Sequence, residues 1–192
     1  MNNPPEPKAV LLDMDGVLVD FHSAALALHG GQGLLASWPT GEWNMAKVLG
    51  ITIKEFWAPI TEQGADFWAN LSWYPWADEL IELCEGLGGF VIATSPSHHP
   101  SSAAGKVRCL RDHFGPKFRD YMIGPHKYLM AGSGMVLVDD RDTGIADFRA
   151  VGGSALRFPR RWNADHALSA DPLAHVRVTL PGLLRDSSSK IG

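Results

Sequence analysis

The chain has 192 residues, of which 45% are hydrophobic and 20% charged, and its formal net charge is −4. These proportions suit a soluble globular protein with one well-buried domain and room for a modest insertion. They offer no basic surface to a nucleic-acid polymer or an anionic membrane, and no apolar run approaches the roughly 20 residues of a membrane span.

Residues 1–7, rich in proline and asparagine, lack the basic start and apolar stretch of a secretory signal and read as a short frayed tail. Val10-Leu11-Leu12 is an apolar run that reads as a buried parallel strand, and it ends in Asp13-Met14-Asp15-Gly16. Where strand geometry persists, Asp13 and Asp15 point the same way and crowd two carboxylates at the strand's carboxyl end. Like charges that close need a proton or a cation between them. The plain alternative is an Asp-x-Asp-Gly turn.

Residues 20–75 change character. Trp38, Trp43, Trp57, Trp68 and Trp73 lie here and Trp76 follows at the edge, with Phe21, Phe56, Phe67 and Tyr74 among them. Phe21–His29, Glu42–Leu49 and Thr61–Asn70 read as short helices between glycine and proline signals. Thr52-Ile53-Lys54-Glu55 reads as a capping box opening the helix that carries Phe56 and Trp57. The block is expected to form a helical cap whose aromatic side chains make its small core. Gly30-Gly31-Gln32-Gly33 follows a helix rather than a strand, so it is a helix end and not a phosphate-binding loop.

Pro75–Leu87 is an amphipathic helix with Leu80, Leu83, Cys84 and Leu87 on one stripe, ended by Gly88-Gly89. Phe90–Ala93 reads as the second buried strand and delivers Thr94-Ser95-Pro96 to the same edge. Ser101–Phe114 reads as a helix carrying Lys106 and Arg108, where the residues alone favour a solvated surface lysine at 106. Tyr121–Ile123 is a short strand, followed by a Gly-Pro turn and His126-Lys127. Met135–Val138 is the fourth buried strand, ending in Asp139-Asp140-Arg141-Asp142, with Asp142 facing solvent. Thr143–Val151 is a helix and Ala155–Phe158 an edge strand. Beyond Pro159 the pattern weakens: Arg160-Arg161 reads as a solvated turn and residues 186–192 as a frayed tail.

Cys84 and Cys109 lack metal-ligand spacing; reduced, buried thiols of a cytoplasmic protein are the favoured reading, with a single disulfide as the alternative. His98 and His99 lack partners at zinc spacing, and the turn before them sets His98 near the mouth of a site at the strand ends.

These elements describe an α/β fold, a doubly wound parallel sheet with its core at residues 8–19 and 76–180 and the helical cap at 20–75. In such sheets ligands bind beyond the carboxyl ends of the strands. Asp13, Asp15, Thr94, Lys127 and Asp140 all come from segments that end at or just after a strand.

Asp13-Met14-Asp15-Gly16-Val17-Leu18 resembles the first motif of the haloacid dehalogenase superfamily of phosphohydrolases. Thr94-Ser95-Pro96, Lys127 and Asp139-Asp140 resemble its second, third and fourth motifs, in that order. From about residue 9 to about residue 150 the chain is similar to the 5'(3')-deoxyribonucleotidase branch; His126-Lys127-Tyr128 departs from the Asp-Lys-Thr of those relatives. The resemblance implies a Rossmann-type core and magnesium-dependent hydrolysis of deoxyribo- or ribonucleoside monophosphates to nucleoside and phosphate. It implies Asp13 as nucleophile and Asp15 as general acid and base. Magnesium (Mg2+) would lie on Asp13, the backbone carbonyl of Asp15, and Asp140, with Asp139 in support. Thr94 and Lys127 would hold the phosphoryl group with Ser95 beside them, and Lys106 stands where that branch carries a lysine near the phosphate. Phe21 matches a substrate-pocket phenylalanine of the branch, and Trp43, in Gly41-Glu42-Trp43-Asn44, is similar to its base-contacting Gly-x-Trp segment. The implied partner is a small-molecule nucleoside monophosphate, with no nucleic-acid polymer and no membrane; a homodimer is compatible with the reading. A phosphatase of a sugar or other small organic phosphate would share all four motifs and differ in the cap. A non-catalytic nucleotide-binding regulator is the third class, and the intact Asp13 and Asp15 argue against it.

Overall fold

The computed structural model describes residues 9–132 and 134–188, so the tail expected over residues 1–7 lies outside it. Five strands, β1 (Val10–Leu12), β2 (Phe90–Thr94), β3 (Tyr121–Ile123), β4 (Val136–Asp139) and β5 (Ser154–Arg157), form one parallel sheet in the order β3-β2-β1-β4-β5. The central strand β1 sets Leu11 opposite Val91 on one side and Leu137 on the other.

The continuous apolar runs follow from burial of both faces of this sheet. Val10, Leu12, Phe90, Ile92, Val136, Val138 and Leu156 join one buried cluster with side chains of three helices: α5 (Ala77–Gly86), α6 (Ser101–Phe114) and α8 (Pro172–Ser188). The alternate residues Leu11, Ala93, Leu137 and Ala155 pack with Ile145 and Phe148 of α7 (Asp142–Ala150). Among the described residues no helix is long and apolar enough to cross a membrane. Both cysteines are buried and free, and burial pushes the Cys84 thiol up to about 12 and the Cys109 thiol to about 11.

Between β1 and α5 the chain makes α1 (Phe21–Leu28), α2 (Met45–Leu49), α3 (Ile53–Gln63) and α4 (Ala65–Ala69). The segment leaves and returns through a narrow neck, where Asp20 N–H donates to Ser72 O and Tyr74 N–H to Leu18 O, each at 2.8 Å. Leu26, Phe56, Ile60, Phe67 and Trp68 of these helices belong to the same buried cluster as the first sheet face. Insertion and sheet thus share one core.

The capping box at Thr52 and Glu55 forms as expected. The helix expected over Glu42–Leu49 begins at Met45, because the Asn44 side chain caps it by accepting from Lys47 N–H. Thr61–Asn70 is not one helix, since Gly64, at φ 62°, takes a conformation few other residues adopt and separates α3 from α4. The frayed tail expected from residue 186 is corrected: α8 continues to Ser188, and residues 189–192 lie outside the described residues. α4 packs closely on α6 at Gly105, where an added Cβ would lie 2.3 Å from Ala65 O. That contact seats the insertion beside the ends of β1 and β2.

Candidate active site

Three of the central strand ends carry the polar residues. β1 runs into Asp13, β2 ends on Thr94 and β4 on Asp139. After Asp13 the chain coils once, with the Leu18 and Val19 N–H groups both donating to Met14 O at 2.8 and 2.9 Å. Gly16 sits in this coil at φ 77°, and a Cβ there would lie 2.0 Å from Asp140 Oδ2. Glycine is therefore needed twice at one position, for the turn and for the space the carboxylate fills.

Asp13, Asp139 and Asp140 are buried and bring carboxylate oxygens within 4.8 Å of one another. Lys127 Nζ lies 2.6 Å from Asp13 Oδ1 and donates to Asp139 Oδ2 at 2.6 Å. Burial, then the repulsion of Asp139, lifts the Asp13 carboxyl to about 7 despite Lys127. Burial, with Asp13 and Asp139 beside it, also holds Asp140 well above the usual carboxylate range. Burial would lower the Lys127 ammonium, but the two aspartates outweigh it and hold the group above the ordinary lysine range. A cluster of three buried carboxylates with one ammonium among them needs a proton or a further cation to balance it, and its all-oxygen donors suit magnesium. Asp139, expected only in support, is a full member of this carboxylate cluster. The side chain of Asp15 stands outside it.

Asp15 Oδ2 instead accepts from Lys106 Nζ at 2.5 Å, and its Oδ1 is buried with no hydrogen-bond partner among the described residues. The surface reading of Lys106 is overturned: the residue is 0% exposed and its ammonium donates to Asp15, to Thr94 Oγ1 at 2.7 Å and to Ser95 O at 2.7 Å. A buried ammonium persists only when paired, and all three of its protons are taken here. Thr94, 1% exposed, turns its hydroxyl against Lys106. Neither residue lines the adjoining cavity of about 660 Å³, whereas Asp13, Asp15, Ser95 and Lys127 do. The structure thus places Thr94 and Lys106 behind the wall that was expected to hold the phosphoryl group.

Phe21 and Trp43 both line this cavity. Phe21 stacks on Trp68 with ring centroids 5.3 Å apart, so it also packs the insertion. Trp43 is 40% exposed, with the Arg141 guanidinium 6.0 Å over its ring. His98 borders the cavity, while His99 Nδ1 lies 2.7 Å from Ser101 Oγ. The Asp142 side chain is 44% exposed and pairs with Arg157.

The segment after Pro159, where the sequence pattern faded, supplies residues that the reading missed. Trp162 Nε1 donates to Asp140 Oδ2 at 2.7 Å, and Asn163 Nδ2 donates to Asp140 O at 2.8 Å. Arg160 is no solvated turn residue. Its guanidinium lies 4.2 Å from the Tyr74 ring centroid and 4.4 Å from that of Trp162, and donates to Tyr74 Oη at 2.7 Å. The one signal available was Trp162 itself, the single tryptophan beyond Trp76. His22 was missed as well; with Ala25 and Leu26 it forms the buried stripe of α1, a spacing that marks an inward position.

No protein family and no curated protein matches the chain by sequence. Its structure is similar to a haloacid dehalogenase-type hydrolase (family IA, variant 3) from Entamoeba histolytica, with a TM-score of 0.55 and 15% identity over 93% of this chain and 100% of that one. A hydrolase of the same type from Deinococcus radiodurans, solved with bound phosphate and sodium, aligns with a TM-score of 0.52 and 17% identity over 92% of this chain and 96% of that one. L-2-haloacid dehalogenase from Xanthobacter autotrophicus aligns with a TM-score of 0.51 and 16% identity over 92% and 86% of the two chains. The fold is that of the haloacid dehalogenase-like hydrolases.

Proposed function

We propose that the protein is a magnesium-dependent phosphomonoesterase that hydrolyses deoxyribo- or ribonucleoside monophosphates to nucleoside and phosphate. One observation carries the reading: the Asp13–Lys127–Asp139–Asp140 cluster, with Asp15 beside it, opens on a cavity that Phe21, Trp43, Phe56, Trp57 and Trp68 also line. Phosphate monoesters hydrolyse extremely slowly in water, so a site must position an in-line nucleophile and neutralise the phosphoryl oxygens.

Asp13 attacks phosphorus as the bond from phosphorus to the leaving oxygen breaks, giving an aspartyl-phosphate. Asp15 delivers a proton to that oxygen, and the nucleoside departs as a neutral alcohol. Asp15, now a carboxylate, then takes a proton from water, whose oxygen attacks phosphorus. The bond from phosphorus to Asp13 breaks and phosphate leaves. Lys106 fixes Asp15 through Oδ2 and leaves Oδ1, which has no partner among the described residues, to carry the proton. Lys127 orients Asp13 and faces the incoming phosphoryl oxygens. Magnesium, held by Asp13 and Asp140 with Asp139 beside them, supplies positive charge against those oxygens when bound.

The similar fold of a haloacid dehalogenase raises carbon–halogen cleavage as a rival. A halide leaves without a proton, so that reaction gives Asp15 no leaving group to protonate, whereas an alkoxide leaving group needs that proton.

The test is phosphate release with magnesium over a panel of nucleoside monophosphates, sugar phosphates and para-nitrophenyl phosphate, with halide release from 2-chloropropionate as a control. Nucleoside monophosphates should turn over best, and Asp13→Asn should abolish release while the fold melts as before. Preference for a sugar phosphate would reassign the substrate to small organic phosphates. Release from no monophosphate, or near-wild-type turnover by a folded Asp13→Asn protein, would refute the mechanism.

A further inference from the structure

We infer that His22 is a specificity-determining residue whose imidazole hydrogen-bonds the leaving group of the substrate, an inference that rests on the phosphomonoesterase reading above. His22 lies in the first turn of α1, 4% exposed, and borders the same cavity as Asp13 and Asp15. Its ring lies flat on Trp162, with centroids 3.5 Å apart and planes at 9°. The rings of Trp38 and Trp43 stand nearly perpendicular to it, each at 6.0 Å and 80°. Neither Nδ1 nor Nε2 has a hydrogen-bond partner among the described residues.

A buried polar atom left unpaired is destabilising, and native proteins keep few of them without a reason. Packing alone does not explain a histidine here, because phenylalanine would fill the same slot with no polar atom to desolvate. Burial, and then the charge of Arg160, hold the imidazole well below the usual histidine range, so the ring is neutral. A neutral imidazole offers one donor and one acceptor. It is poorly suited to a phosphate dianion, for which Lys127 and the carboxylate cluster are already placed. It suits a single uncharged donor or acceptor met by one ring nitrogen, such as one polar atom of a nucleobase edge or a sugar hydroxyl. Trp43 supplies the flat, partly exposed face beside it on which such a body would lie.

The test substitutes His22→Phe, which keeps a flat ring on Trp162 and removes both nitrogens. Two quantities are read: the ratio of kcat/KM for the preferred nucleoside monophosphate to that for para-nitrophenyl phosphate, and the melting temperature without magnesium or substrate. The ratio should fall about tenfold, the loss expected of one hydrogen bond made in the bound state. The melting temperature should rise by roughly 2–4 °C, since two unpaired atoms leave the interior. A histidine that only packs would leave the ratio unchanged. An unchanged ratio, whether through no loss or through equal losses on both substrates, overturns the inference, and so does a fall in melting temperature. Should His22→Phe fail to fold, His22→Leu carries the same two measurements. A wild-type protein silent on every monophosphate, para-nitrophenyl phosphate included, would instead refute the phosphomonoesterase reading and this inference with it. Wild-type turnover with a preserved nucleotide preference in the variant would refute the inference alone.

Discussion

Gly105 decides how closely the helical insertion sits on the sheet domain, and replacing it by alanine sets two effects of opposite sign against each other. Inside a helix, glycine costs about 1 kcal/mol relative to alanine, so propensity by itself predicts that Gly105→Ala stabilises α6. A Cβ at this position, however, lies 2.3 Å from Ala65 O and 2.6 Å from Trp68 Cβ, where ordinary contact begins at 3.4 Å. The obstacle is backbone, so α4 must retreat by 3.4 − 2.3 = 1.1 Å rather than one side chain swinging aside. Overpacking of this kind typically costs about 1–3 kcal/mol, leaving a net loss of up to about 2 kcal/mol after the propensity gain. For a chain of this size that is a fall of up to roughly 8 °C in melting temperature. Gly182 is the control: it lies within α8 and has nothing within 4 Å of an added Cβ, so Gly182→Ala should gain up to about 1 kcal/mol, or roughly 2–4 °C. Thermal melts of the three proteins in one buffer read the difference. Retreat of α4 also carries Trp68 away from Phe21 and from Lys106 Nζ, now 5.1 Å from the Trp68 ring centroid, so kcat/KM should fall with stability. A rise in melting temperature for Gly105→Ala would refute the close-packing argument.

The carboxylate cluster makes magnesium binding pH-dependent. Asp13 holds its proton to about 7 in the fold against an ordinary 3.8. Its ionisation therefore opposes folding: the penalty is absent below about pH 4, grows as pH rises toward 7 and is complete above it. Magnesium offsets that penalty, so the rise in melting temperature on adding magnesium should be larger at pH 8 than at pH 5, and equal rises would sink the account. Asp140→Ala should weaken the magnesium dependence of both melting and turnover far more than Asp142→Ala, whose side chain pairs with Arg157 at 2.5 Å; matching titration curves would mean the ligand is misplaced. Trp43→Ala should lower the kcat/KM ratio of nucleotide to para-nitrophenyl phosphate about tenfold, because stacking contributes roughly 1–3 kcal/mol per base. An unchanged ratio would reduce Trp43 to a packing residue.

The strands were legible because a sheet buried on both faces writes an uninterrupted apolar run, as residues 10–12, 90–93 and 136–138 all do. Since parallel strands all end on one edge, the polar residues that follow those runs, Asp13, Thr94 and Asp139-Asp140, were bound to converge. Their convergence needed no tertiary information beyond the sheet itself. The partners of those residues did. Lys106 sits on an amphipathic helix, where spacing does not tell a solvated ammonium from one buried against Asp15, 91 positions earlier. Trp162 and Asn163 reach Asp140 from a segment without periodicity, across 22 and 23 positions. Gly105 reads as a weak point in a helix until α4 is laid on it, and His22 reads as one more helical residue until three tryptophans surround it. Periodicity records which face of an element is turned inward, because burial repeats with the backbone geometry. It carries no record of which distant side chain meets that face, since that is settled only when the elements pack.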